Sequence, residues 1–299
     1  MNRILAATLL SFAAFAAPAH ANLKVFACEP EWASMLNELG GDKLSVDVGT
    51  SALQDVHVID AKPSLIAKVR RADLIVCSGA GLEIGWLPQL THQAANPKVV
   101  SGPGYFMASD QIVTLEKPSA LDRANGDVHP DGNPHFQIDP YRMLTIAKAL
   151  DARLVELDPA NAAIYQQRLA NFSTRWQAAI KGWEAKAAPL KGKKIIVHHA
   201  NWIYLLTWLH MTEVGSLEPK PGVPPTSSHL AGLISIAKSE GTYAIIRAAY
   251  QDPKASEWLS SRTGVPAVVL PSTVGGDAQS KDLFGMIDST IDKLLAAAK

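Results

Sequence analysis

The sequence predicts an α/β protein of two βα lobes, each with a four-stranded parallel sheet, joined by one long rigid helix. Three observations predict it. Short apolar runs alternate with helical patterns in both halves of the chain. One long segment between the halves keeps its apolar residues three and four apart. The 299 residues suit two compact lobes better than one small domain.

In chain order, residues 1–21 come first. Arg3 precedes an apolar run over residues 4–17, and Ala19, His20 and Ala21 close it, the pattern of a secretory signal cleaved near Ala21. The run is too short to span a bilayer comfortably and no later stretch approaches twenty apolar residues, so the mature chain is expected to be soluble, exported and not itself membrane-embedded. Cys28 stands too far past the cleavage point for a lipid-attachment cysteine. The 28 basic and 28 acidic residues balance, and loss of Arg3 shifts that balance by one charge. Neither nucleic acid nor an anionic membrane surface is therefore an obvious partner.

Residues 22–157 form the expected N-terminal lobe, with strands at 23–28, 44–48, 74–77 and 98–100 and helical stretches at 31–39 and 64–71. Cys28 and Cys77 end two of these runs. In an oxidising compartment they pair if the strands are neighbours, and otherwise they are two buried thiols; their spacing excludes a CxxC redox centre. Residues 158–190 form the linking helix, with Tyr165, Leu169, Phe172, Trp176, Ile180, Trp183 and Ala187 on one face. Asp158 is expected to cap its first amides, Pro159 suits its first turn and Pro189 marks its end, giving about 28 residues and about 40 Å. The alternative for this segment is a core helix within one larger domain. Residues 191–299 form the C-terminal lobe, with strands at 194–197, 213–217, 244–247 and 267–270 separated by helices at 202–209, 229–239 and 255–263.

Three histidines fall in punctuated loops of this plan: His57 in QDVHVIDAKPS, His135 in DGNPHFQIDP and His199 in IIVHHANWIYL. Each follows a strand or precedes a helix start, here Asp139-Pro140 for His135. In open parallel sheets ligands gather outside the carboxyl ends of the strands, and two lobes set such crevices face to face. Imidazole is the commonest side-chain ligand for zinc and its neighbours, so these three are candidate metal ligands. His198 neighbours His199, and in an extended segment only one of the two is expected to face the cleft; the resemblance described next selects His199. His92, His210 and His229 read as solvated or hydrogen-bonded, His20 leaves with the leader, and His129, in the loop 124–134, is expected to be solvated, with loose recruitment of metal as the alternative. Residues 217–225, LEPKPGVPP, are stiffened by four prolines and either shape the cleft or a docking surface, or simply connect.

At these residues the chain resembles the metal-binding solute receptors of bacterial ABC importers, the zinc-type cluster A-I. The residues that carry the resemblance are His57 followed by Pro63-Ser64, the run ADLIVCSGAG at 72–81, Asn133-Pro134-His135 with Asp139-Pro140, the long helix, and His199 before Trp202 and Tyr204. They cover nearly all of residues 22–299 in order. The resemblance implies a monomeric periplasmic receptor, not an enzyme, that holds one transition metal between its lobes and hands it to an ABC permease, with a metal chaperone as a further candidate partner.

The resemblance also implies an acidic fourth ligand in the C-terminal lobe. That carboxylate is missing from Val269 to Gly276, and the acidic residue expected after strand 244–247 is replaced near Ala248. Water, Glu29 or Asp277 are the candidates for the vacancy. Three imidazoles with at most one oxygen favour Zn²⁺ over Mn²⁺, while Cu²⁺ and Ni²⁺ also bind imidazoles strongly. Affinity should fall below about pH 6.5, as protons compete for imidazole. The competing classes are a zinc-dependent hydrolase with a three-histidine site and a receptor for a metal chelate such as a siderophore. No HExxH helix, GxSxG elbow or Walker-type loop supports an enzyme.

Overall fold

The computed structural model describes residues 21–119, 126 and 128–298; the leader expected over residues 1–21 lies outside them except for Ala21, as does part of the loop 124–134. Two four-stranded, all-parallel sheets form. The first runs β2 (Leu44–Val48), β1 (Leu23–Ala27), β3 (Leu74–Cys77) and β4 (Tyr105–Met107); the second runs β6 (Thr212–Ser216), β5 (Lys194–Val197), β7 (Ala244–Ala248) and β8 (Ala267–Leu270). The central strands are near-continuous apolar runs, LIVC in β3 and KIIV in β5, because helices cover both sheet faces.

Side-chain alternation divides these strands between cores. In the first lobe Val25, Ala27, Leu74 and Val76 face one core, while Phe26, Ile75 and Cys77 face a second one under α2 (Pro63–Arg71) and α3 (Leu87–Ala94). In the second lobe Ile195, Val197, Ala244 and Ile246 face the same first core. Ile196 and Ile245 turn to the opposite side, beneath α7 (Ser227–Ser239) and α8 (Lys254–Thr263). The inner faces of both sheets therefore share one continuous apolar core.

The long helix α5 (Ala162–Ala187) runs through that core. It packs on α1 (Pro30–Leu39), α4 (Pro140–Leu157) and α9 (Leu283–Ala296). Trp176 stacks on Phe172 at 5.2 Å and meets Trp183 edge-on at 5.0 Å. Indole nitrogens fix the ends: Trp176 Nε1 donates to Pro140 O at 2.8 Å and Trp183 Nε1 to Asp288 Oδ1 at 2.9 Å. Each fully buried ring is worth about 1.5–3 kcal/mol of transfer free energy. The helix thus joins the lobes by packing and leaves no slack linker.

The structure departs from the sequence reading at three places. Residues 98–100 are not a strand: the Asn96 side chain accepts from Lys98 N, Pro97 opens a 3₁₀ turn over Pro97–Val99, and the edge strand is β4 instead. Asp158 does not cap backbone amides; its carboxylate accepts from Tyr165 Oη at 2.6 Å and Asn161 Nδ2 at 2.7 Å, and the first turn is 3₁₀. Helices α3 and α9 were not anticipated. Cys28 and Cys77 form a disulfide, with Cα atoms 4.8 Å apart, because β1 and β3 are hydrogen-bonded neighbours and the pairing of Ala27 with Val76 brings the next two residues side by side.

Candidate metal centre

Three loops bring His57, His135 and His199 together. The loop after β2 that carries His57 is pinned by Trp86, whose Nε1 donates to Val56 O at 2.9 Å. His135 sits in a loop tied to the other lobe: Asn133 Nδ2 donates to Ala200 O at 2.7 Å, and Tyr204 Oη, on α6 (Ile203–Trp208), donates to Asn133 O at 2.6 Å and accepts from Leu115 N. His199 follows β5 and precedes a turn in which Asn201 N donates to His199 O. Further bonds close the cleft, from Gln137 Nε2 to Ser272 O at 2.7 Å and from Thr273 Oγ1 to Glu31 Oε2.

The ligand-capable atoms of the three histidines all lie within 4.8 Å of one another. Their ring centres are 5.3 Å apart for His57 and His135, 5.4 Å for His57 and His199, and 5.7 Å for His135 and His199. Carboxylates orient two of them. His57 Nδ1–H donates to Asp55 Oδ1 at 2.8 Å, and His199 Nδ1–H to Glu218 Oε2 at 2.7 Å. This fixes the tautomer that leaves Nε2 as the lone-pair nitrogen. The Nε2 atoms of His57 and His135 are buried with no hydrogen-bond partner, an arrangement that costs free energy unless something binds there.

Electrostatics favour a neutral His135 ring. Burial, then the neighbouring His57, His199 and His129, pushes His135 well below the ordinary imidazole value, so it keeps its lone pair into mild acid. The hydrogen bond from His57, partly offset by desolvation, lowers Asp55. The cleft beside His57 and His199 is a cavity of about 280 Å³ that Tyr250 and Asp252 also line.

Other histidines behave differently. His198 is buried and lines both that cleft and an adjoining cavity of about 560 Å³ bounded by Pro224, Leu230, Asp252 and Trp258. His92 and His210 are exposed, and His229 Nε2 bonds Ser216 O at 2.8 Å. His129 is not solvated as expected: it is half-buried, with its ring centre 5.4 Å from that of His57 and 6.0 Å from that of His135.

Neither carboxylate suggested by the sequence joins the three rings. Hydrogen bonds from Lys293 and Ser289 hold Asp277 in its own turn and, against a desolvation cost, keep it below the usual carboxylate range. Glu29 lies in a buried acidic cluster at the ends of β1 and β3. Its Oε2 accepts from Ser78 N and Oγ, and Glu83 accepts from the amides of Ser78 and Gly79. Burial, then Glu83 and Glu31, raises Glu29 well above its ordinary value, while burial pushes Glu31 and Glu83 up to about 7.

A pH dependence of stability follows from that cluster. Glu31 holds its proton in the fold up to about pH 7 but loses it near pH 4.5 when unfolded. It therefore subtracts stability progressively as pH rises through that window. Glu31→Gln, which can still accept from Thr273, is expected to gain stability relative to the parent as pH rises from 4.5 to 7 in urea titrations of metal-free protein. A difference that stays flat with pH would contradict this.

The orienting groups Asp55, Glu218 and Trp86 were missed by sequence reasoning. Asp55 carried a signal in standing two residues before His57. Glu218 lies in the proline-rich segment 217–225, and Gly222 N donates to the same Oε2 at 2.9 Å, so this loop helps shape the cleft. Trp86 gave none.

Known proteins share this architecture. The family model described as ZnuA, zinc-uptake complex component A, periplasmic, matches residues 25–297. The metal ABC transporter substrate-binding lipoprotein SloC of Streptococcus mutans is 23% identical over 277 residues, covering 91% of this chain and 89% of its own. The iron ABC transporter substrate-binding lipoprotein MtsA of Streptococcus pyogenes is 24% identical over 282 residues, covering 91% and 87%. The manganese ABC transporter substrate-binding lipoprotein PsaA of Streptococcus anginosus is 21% identical over 279 residues, covering 91% and 88%. Among solved structures, a crystal structure of ZnuA is similar in fold, with a TM-score of 0.76 at 23% identity over 92% of this chain and 100% of that one.

Proposed function

The chain belongs to the family of the periplasmic component A of the zinc-uptake complex, and on that premise we propose that its cargo is Zn²⁺, held by His57, His135 and His199 between the lobes. As a member it is a metal-binding substrate-binding protein of an ABC importer, works with a membrane permease and is not an enzyme. No described helix is long and apolar enough to cross a membrane. A periplasmic location after removal of a leader near Ala21 completes the proposal. Cys28 is committed to a disulfide, so it is no acceptor for the lipid named in several relatives.

Relatives named for iron and for manganese stand at similar identities, so the choice of metal falls to the donors. The observation that carries the zinc reading is the convergence of three imidazoles within 4.8 Å, with Asp55 and Glu218 spent on Nδ1 atoms and Asp252 paired with Lys254. Neutral nitrogen donors suit zinc, whereas manganese favours carboxylate and water oxygen. The family model is described by zinc uptake itself, which argues against a siderophore chelate.

Competitive titration of the purified protein with Zn²⁺, Mn²⁺, Fe²⁺, Ni²⁺ and Cu²⁺ tests this reading. Zinc is expected to bind at one equivalent and to exceed manganese by about 1000-fold, with copper as the strong competitor that the general affinity order requires. A preference for manganese sinks the proposal. Glu218→Ala, which frees the His199 ring, is expected to weaken zinc by about 10–100-fold at unchanged stoichiometry; an unchanged affinity would show that the carboxylate does not orient the ligand.

A further inference from the structure

We infer that His129 is the fourth ligand and closes the metal site. The inference rests on the reading of His57, His135 and His199 given above. With zinc–nitrogen bonds of about 2.0 Å, a tetrahedral four-imidazole site puts each ring centre about 3.2 Å from the ion and the centres about 5.2 Å from one another. The three converging histidines, with centres 5.3, 5.4 and 5.7 Å apart, occupy three corners of such a figure. His129 neighbours two of them, 5.4 Å from His57 and 6.0 Å from His135; its donor atoms lie outside the group of three that fall within 4.8 Å of one another, so its ring moves inward to complete the figure.

Ring orientation agrees. A methyl group built on Gly81 would stand 3.6 Å from His129 Nδ1, which puts that edge on the Gly81 side. The other nitrogen, Nε2, is buried although the residue as a whole is half-exposed. The turn that carries the ring is held by its own backbone, with Gly132 N donating to His129 O at 3.2 Å and Thr114 Oγ1 donating to Asp131 O at 2.5 Å. The carboxylates near the rings are already engaged: Asp55 and Glu218 hold Nδ1 atoms and Asp252 pairs with Lys254, while Glu29 bonds Ser78 and Asp277 bonds Lys293 and Ser289. The resulting all-nitrogen shell separates this chain from receptors that use an acidic fourth donor, and it strengthens discrimination against manganese.

Zinc affinity by chelator competition and the first-neighbour count by X-ray absorption, on the parent and on His129→Ala, test the inference. Expected is a loss of about 100-fold in affinity and replacement of one nitrogen neighbour by oxygen, with unchanged unfolding of the metal-free protein. Parental affinity and an unchanged shell in His129→Ala would overturn it, as would a slower association rate at parental affinity, which would make His129 a capture residue only. Parental affinity in the alanine variants of His57, His135 and His199 would instead overturn the proposed function itself, so the two failures are distinguishable.

Discussion

Replacing His135 with alanine is expected to weaken zinc binding by about 3 kcal/mol, roughly 100-fold or more, while the metal-free protein still folds. The magnitude follows from dividing the roughly 10–16 kcal/mol of a structural zinc site among four donors. His135 is the most committed of the set. It is 5% exposed, its Nε2 has no protein partner, and burial keeps the ring neutral. Removing it takes away a donor whose desolvation the apo fold already bears, so apo stability should change far less than affinity. His92→Ala is the control, because that exposed ring on α3 lines neither cavity. Chelator competition and urea unfolding of the apo forms measure both quantities. Parental zinc affinity in His135→Ala would remove the ring from the site.

Loss of the disulfide should cost comparable free energy by a different route. Cys28 and Cys77 are both fully buried and 49 residues apart in sequence. A crosslink closing a loop of that length stabilises by about 4 kcal/mol in the chain-entropy account. Cys28→Ala with Cys77→Ala should therefore lower the urea midpoint strongly, and reductant should do the same to the parent but not to the variant. The effect should also reach the buried glutamates, because Glu29 and Ser78 directly follow the two cysteines. Equal unfolding curves with and without reductant would show that the bond is absent in solution.

The lobes and the spine were legible because their signals are local. Tyr165 to Ala187 repeat at three and four residues, and the central strands are short apolar runs bounded by turns. The edge strand was not. Residues 98–100 read KVV, yet Asn96 and Pro97 wind the chain into a 3₁₀ turn. The strand that takes the edge, β4, is three residues long after a Gly-Pro-Gly turn, too short to display a period. Asp158 looked like a cap, but Tyr165 one helical face away claimed its carboxylate.

At the site, the three ring positions could be read because each stands in a punctuated loop. The carboxylate contacts could not be read as a set. Asp55 is two residues from His57, but Glu218 reaches His199 from 19 residues away, across the β5–β6 crossover. His129 was expected in water because a lone histidine in a polar loop is usually solvated; here its ring meets two others. Such contacts are tertiary, and no spacing rule contains them.

The central claim is that imidazoles from separate loops share one ion where the lobes meet. A crystal structure of the zinc-loaded protein tests it most directly. The account predicts anomalous density for a single ion with the Nε2 atoms of His57, His135 and His199 at about 2.0–2.1 Å. Zinc bound elsewhere, or an ion in the cleft held by oxygen donors with these rings turned away, would contradict it.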